Sequence, residues 1–187
     1  MSLLAVLDAK REHSFESFAA SCSTRLLRAA YLLCGDRQTA EDLLQMTMVR
    51  TARRWSAART SPEAYARTVL VNLARDHARR GRRRVGEVLG DGEGSVGDER
   101  RLVADPADLV ASRDAVLGAL SALPQRQREV IVLRFYADLS VTDTAAAIGA
   151  SNGTVMSYTS RALGHLRQLL GDPPENKDAP IETEVPT

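Results

Sequence analysis

Apolar side chains recur at three- and four-residue steps along two stretches of this chain. That spacing gathers them on one side of an α-helix and on neither side of a strand, so it limits the chain to helical folds. In the first stretch Phe15, Phe18, Leu26, Leu27, Ala30, Tyr31 and Leu33 keep the period until Gly35 stops it. Asp36 is placed to cap a second helix over 37–55, with Ala40, Leu43, Leu44, Thr47, Met48 and Thr51 as its buried stripe. After a turn at 57–62, Pro62 is well placed to open a third helix, 63–80. Residues 81–105 hold six glycines and repeated acids without an apolar period, which reads as a linker. Helices resume after Pro106, over 109–120 and 124–136. A tight pair follows, with Ser140 and Ser151 as N-caps and Gly149 between them. The expected fold is all-α, with two small helical domains joined by a flexible acidic linker. The first spans 10–84, the linker 85–106, and a four-helix domain ending in a helix-turn-helix 107–170; the acidic, proline-rich tail 171–187 is expected to be disordered. A length of 187 residues suits two such domains, and 44% hydrophobic residues allow each a core.

A net charge of +1 hides a strong polarity. Residues 50–84 carry eleven arginines against Glu63 and Asp76, a local charge of +9, whereas residues 85–115 sum to −5 and 171–187 to −4. Two acids are too few to neutralise eleven bases as a salt-bridged helix face, so the block points to phosphate, whose neutralisation releases condensed counterions. Its third helix is two-sided. Tyr65, Val69, Leu70, Leu73 and Ala74 form the inner face, while Arg67, Thr68, Asn72, Arg75, Arg79 and Arg82 fall on the opposite stripe. The arginines would set register on phosphates and Asn72 would read a base. Trp55 and Tyr65 are the block's aromatics, too few for an extended single-strand stacking platform; a pocket for one or two extruded bases built by the 57–62 loop remains open.

The pair of helices over 141–169 fits a helix-turn-helix, with Ala145 small at the crossing and Ile148, Val155 and Leu166 apolar where the helices meet. At 100° per residue the second helix places Val155, Thr159, Ala162, Leu166, Leu169 and Leu170 on one side, and Met156, Ser157, Ser160, Arg161 and Arg167 on the other. Short polar groups with an arginine near the helix start suit the major groove. An ordinary helical hairpin shares the core pattern without needing the exposed arginine and serines.

Other chemistry finds little support. Cys22 and Cys34 make no disulfide framework, and His13, His77 and His165 are too scattered for a local metal box. The two cysteines read as buried small residues rather than a redox switch. Gly92, Gly94 and Gly97 match a dinucleotide fingerprint formally, but neither a strand before them nor a helix after them supports it. With no carboxylate cluster, metal-ligand spacing or nucleophile paired to a base, neither an enzyme, a cofactor nor a small-molecule substrate is expected. No run approaches the ~20 apolar residues of a membrane span, and the opening MSLLAVLDA has no basic leader, so the expected location is cytoplasmic, without membrane insertion.

Three segments carry a family resemblance. LPQRQREVIVLRFYADLSVTDTAAAIGASNGTVMSYTSRALGHLRQLL, from Leu123, resembles the C-terminal promoter-binding region of an extracytoplasmic-function sigma factor of the sigma-70 family. TAEDLLQMTMVRTARRW (39–55) and SPEAYARTVLVNLARDHARRGRRR (61–84) resemble its N-terminal region, in the same order and spacing, most like the SigE-like actinobacterial members. The resemblance implies that helix 37–55 docks on the clamp coiled coil of core RNA polymerase through Asp42, Gln45 and Arg50, with the second domain on the polymerase flap. It implies that helix 63–80 and its preceding loop open the start-proximal promoter element as single strands, while Asn152, Met156, Ser157, Ser160 and Arg161 read the upstream element as duplex. An anti-sigma factor is a further partner that such a chain can have. Met156 stands where the family has a basic residue in GTVKS, and Tyr158 where arginine is frequent, which implies weaker upstream phosphate contact. Met46 replaces a frequent acid of AEDLVQ.

Energetics point to a partner too. Opening about ten base-pair steps at roughly 1.4 kcal/mol each needs ~14 kcal/mol, beyond two small helical lobes, whereas extruding one base costs a few kcal/mol. Nucleation here and propagation by a polymerase is the consistent division. Two other readings compete: a free-standing regulator of the LuxR type, which would bind duplex DNA without polymerase, and a nucleic-acid-processing enzyme, which no residue pattern supports and a nuclease assay with magnesium present would reveal.

Overall fold

The computed structural model describes residues 3–58, 60–89 and 108–171, and at 3–13, 82, 84–89 and 108–113 the helical backbone alone. Every element among them is helical. In chain order these are α1 Leu3–Cys34, α2 Arg37–Arg53, the single turn α3 Trp55–Ala58, α4 Pro62–Leu89, α5 Asp108–Ala122, α6 Gln125–Ile131 continuing as a wide π turn Val132–Tyr136, α7 Val141–Ile148 and α8 Asn152–Leu170.

Helices α1, α2 and α4 pack on one another as a bundle. Gly35 ends α1 at φ +74°, a left-handed conformation that costs glycine nothing, and its N–H closes on the Tyr31 carbonyl at 2.7 Å. Asp36 starts α2 as expected, its carboxylate accepting from the Thr39 N–H at 2.8 Å. The foreseen stripe turns inward: Ala40, Leu43, Thr47 and Thr51 are buried, with Leu44 and Met48 packed beside them. Thr47 and Thr51 are fully enclosed because their hydroxyls donate to the Leu43 and Thr47 carbonyls at 2.7 and 2.8 Å, leaving no orphaned polar group. Trp55 closes the bundle end against Phe15 and Phe18, with ring centroids 5.3 Å away in each case.

Two helices differ from expectation. α4 does not stop at Arg80 but runs through Gly81 to Leu89. No proline interrupts the segment, and one glycine costs a helix about 1 kcal/mol, which a helix already nucleated upstream absorbs. The helix expected over 124–136 changes pitch after Ile131. The Ala137 N–H reaches back five residues to the Val132 carbonyl at 3.0 Å, and Asp138 adopts φ +51°. That widening buries Val132, Leu133 and Leu139 together while turning Phe135 outward.

In the second half, Leu120, Leu123, Ile131 and Ala162 make a core from α5, α6 and α8. Leu166, expected at the α7–α8 seam, packs into that core instead. Leu169 and Leu170, expected on the buried side of α8, are exposed. The halves are in contact. α4 lies against α6 and α7, and α1 against α5 and the π turn. One apolar cluster runs across the seam, joining Leu33, Leu70 and Val71 to Val130, Val132, Leu133, Leu139 and Ile148. Val71 was absent from the expected inner face of α4; it is buried because a second surface covers that side. Of the expected linker, 85–89 belong to α4. Residues 90–107 and the expected tail after Gly171 lie outside the described residues, as do the glycines of the dinucleotide-like fingerprint.

Candidate nucleic-acid and polymerase interfaces

The helix-turn-helix is built by its caps. Ser140 Oγ accepts from the Asp143 N–H at 3.0 Å and Ser151 Oγ from the Thr154 N–H at 3.2 Å, satisfying donors that each helix start leaves open. Gly149 turns the chain at φ +66°, and Ala145 and Ile148 of α7 are buried with Val155 of α8. The Asn152 side-chain amide donates to Thr142 Oγ1 at 3.3 Å across the turn. Asn152, Met156, Ser157, Ser160 and Arg161 are all exposed on this braced helix, so the five expected upstream readers share an accessible surface.

The arginine stripe of α4 is far less free. Arg67 pairs with Glu63 at 2.9 Å, and Glu63 also takes Arg25 at 3.2 Å. Thr68 Oγ1 donates to the Ala64 carbonyl at 3.0 Å. Arg79 pairs with Asp76 at 3.2 Å on the surface. Asn72 is exposed, but its Oδ1 accepts from Arg75 Nη1 at 3.3 Å. Arg75 itself reaches into the other half, where it pairs with Glu129 at 2.8 Å. Arg82 continues the helix; its side chain lies outside the described residues. Arg59, in the loop expected to hold an extruded base, also lies outside them. Trp55 packs inward, so neither aromatic of the block is presented for stacking.

Glu129 is the site residue that sequence reasoning missed. Its signal was present: an acid immediately before the apolar run Val130 to Leu133 is carried into a core and must find cationic partners there. On α2, Asp42, Gln45 and Arg50 are exposed, and Met46 and Val49 stand exposed among them at 41% and 51%. Steps of three and four from residue 42 to 49 put these side chains on one face, so an apolar contact lies inside the expected polymerase surface. Those two residues already fell outside the buried stripe in sequence.

Both thiols are free, Cys22 buried and Cys34 half-buried. Loss of solvation pushes both upward, and the charge of Glu63 adds to the rise at Cys22. Among the described residues, no helix is long and apolar enough to cross a membrane.

Residues 18–84 match the family described as Sigma-70 region 2, and residues 119–168 match Sigma-70, region 4. The RNA polymerase sigma-E factor of Streptomyces avermitilis is 36% identical over 160 residues, covering 83% of this chain and 84% of that protein. The ECF RNA polymerase sigma factor SigM of Mycobacterium tuberculosis is 31% identical over 174 residues, 90% and 83% of the two chains. Among solved structures, the sigma factor RpoE of Bartonella quintana in complex with the anti-sigma factor NepR has a TM-score of 0.67 at 29% identity, covering 83% of this chain and 96% of that one. The chain therefore belongs to the sigma-70 family of RNA polymerase sigma factors. Within that family it is an extracytoplasmic-function member, a promoter-directing factor that works with RNA polymerase and promoter DNA.

Proposed function

We propose that this sigma factor divides its work among three faces. The exposed face of α2, with Asp42, Gln45, Met46, Val49 and Arg50, docks on the clamp coiled coil of core polymerase, and the second half rests on the flap. Helix α8 reads the upstream duplex element through Asn152, Met156, Ser157, Ser160 and Arg161. The stripe Arg67, Thr68, Asn72, Arg75, Arg79 and Arg82, with the loop before α4, holds the start-proximal element as it opens. The observation that carries this reading is the capped helix-turn-helix presenting all five upstream readers, joined in one chain to a helix whose arginines far outnumber its acids. An anti-sigma factor is a further partner on this reading, since the Bartonella relative is in complex with one.

Run-off transcription with core polymerase over a genomic promoter library tests it. The wild-type chain is expected to confer start-site selection on core. Arg161→Ala should relax preference at one upstream position by roughly 1–3 kcal/mol, the discrimination lost with one bidentate base contact. A chain that leaves core unable to choose start sites would overturn the assignment.

A further inference from the structure

Glu129 is fully buried, and its carboxylate is held by donors from both halves. Arg75 of α4 gives Nε to Oε1 at 3.2 Å and Nη2 to Oε2 at 2.8 Å; Arg126 Nη1 adds 3.3 Å to Oε2, and Gln125 Nε2 adds 3.4 Å to Oε1. The two-pronged approach of Arg75 is the geometry with which a guanidinium grips a phosphate. The remaining Nη1 donates to Asn72 Oδ1. Two residues of the start-proximal stripe are thereby tied into intramolecular bonds, Arg75 at the seam and Asn72 on the exposed side of α4. Arg79 stays on the surface, paired with Asp76, at the rim of a cleft of about 440 Å³ that Arg75, Arg126 and Tyr158 also line between α4 and the second half.

We propose that Glu129 occupies the phosphate fork of Arg75, and that this pair clasps the two halves closed, so that α4 engages promoter DNA only after the halves part. The inference rests on α4 being a DNA-contacting helix. Two further contacts close the same seam, the shared apolar cluster and the bond from Arg128 Nη1 to the Leu33 carbonyl at 3.0 Å. An ion pair suits a latch better than added apolar surface would. A buried pair is close to neutral in net stability while intact, because desolvation offsets attraction, yet loss of either partner leaves an uncompensated charge that favours opening. Opening is also geometrically required. Readers serving elements about two DNA turns, or ~70 Å, apart must leave one another.

The test uses the full-length chain without polymerase. Glu129→Gln keeps the shape of the side chain and removes its charge. Its radius of gyration by small-angle scattering is expected to rise. Its affinity for a forked promoter fragment should tighten roughly tenfold, a conversion of about 1.4 kcal/mol. Arg75→Lys, which keeps a cation but loses the fork, is expected to raise the radius of gyration as well. Circular dichroism reports whether each variant keeps its helices. A folded Glu129→Gln with wild-type compaction and DNA affinity overturns the clasp. If Glu129→Gln loses its helices, Arg75→Lys decides alone, and wild-type compaction in that variant overturns it equally. Failure of the wild-type chain to direct core polymerase would remove the functional reading while the scattering comparison still reported whether Arg75 and Glu129 hold the halves together.

Discussion

Cys22 shows how burial settles the chemistry of a single side chain. It is 1% exposed, and desolvation first, then the charge of Glu63, raises its thiol above the ordinary value of 9.0. The neutral thiol is therefore favoured by the folded state. Its contribution to stability is present below that ordinary value and is lost as pH climbs through and beyond it. Two outcomes are expected: a thiol reagent at pH 8 modifies Cys22 much more slowly in the native protein than in urea, and the urea midpoint falls between pH 8 and pH 10. Native labelling at the unfolded rate would show that the site is open. The burial of Cys22 agrees with the sequence expectation that both cysteines are buried small residues, whereas Cys34 is only half-buried. The role of Glu129 was not legible. Its partner Arg75 lies 54 residues away, and periodicity places a residue on a face without saying what meets it.

Among the elements, cap chemistry carried the most information. Asp36, Ser140 and Ser151 start helices where a side-chain oxygen is needed, and Gly35 and Gly149 end them where φ is positive. These are local rules, obeyed within four residues of the chain. The two elements that differed depend on something longer. Helix α4 continues past Gly81 because cooperativity from the preceding turns outweighs one poor residue, and the π turn after Ile131 forms because Val132, Leu133 and Leu139 must reach the same core. Gly81 offers a direct check. It is exposed, and a Cβ there would meet no atom within 4 Å. Gly81→Ala should therefore stabilise the first half by about 0.5–1 kcal/mol in urea unfolding, the usual helix preference of alanine over glycine. An unchanged or lowered midpoint would mean that residue 81 is not in a helix interior in solution.

For the molecule as a whole, apolar periodicity announced two helical halves and the charge pattern a cationic block closing the first, and neither said how the halves meet. The seam is made by long-range pairs such as Arg128 with Leu33 and by Val71, whose burial depends on a neighbour far along the chain. The longer α4 also changes the reach between the halves. Residues 90–107, 18 in number, connect Leu89 to Asp108. Fully extended they span at most about 63 Å, less than the ~85 Å that 25 linker residues would allow. Helical residues rise about 1.5 Å each, so the last turns of α4 add little. The ~63 Å span falls short of the ~70 Å between two elements about two DNA turns apart, so the connection must be nearly straight and the bodies of the two halves must supply the remainder. Removing ten residues from within 90–107 leaves eight, with a reach of about 28 Å. The expected outcome is loss of run-off transcription from promoters that need both elements, with core polymerase binding by co-sedimentation unchanged because the α2 face is untouched. Normal initiation by that deletion variant would mean the two readers never have to stand two turns apart.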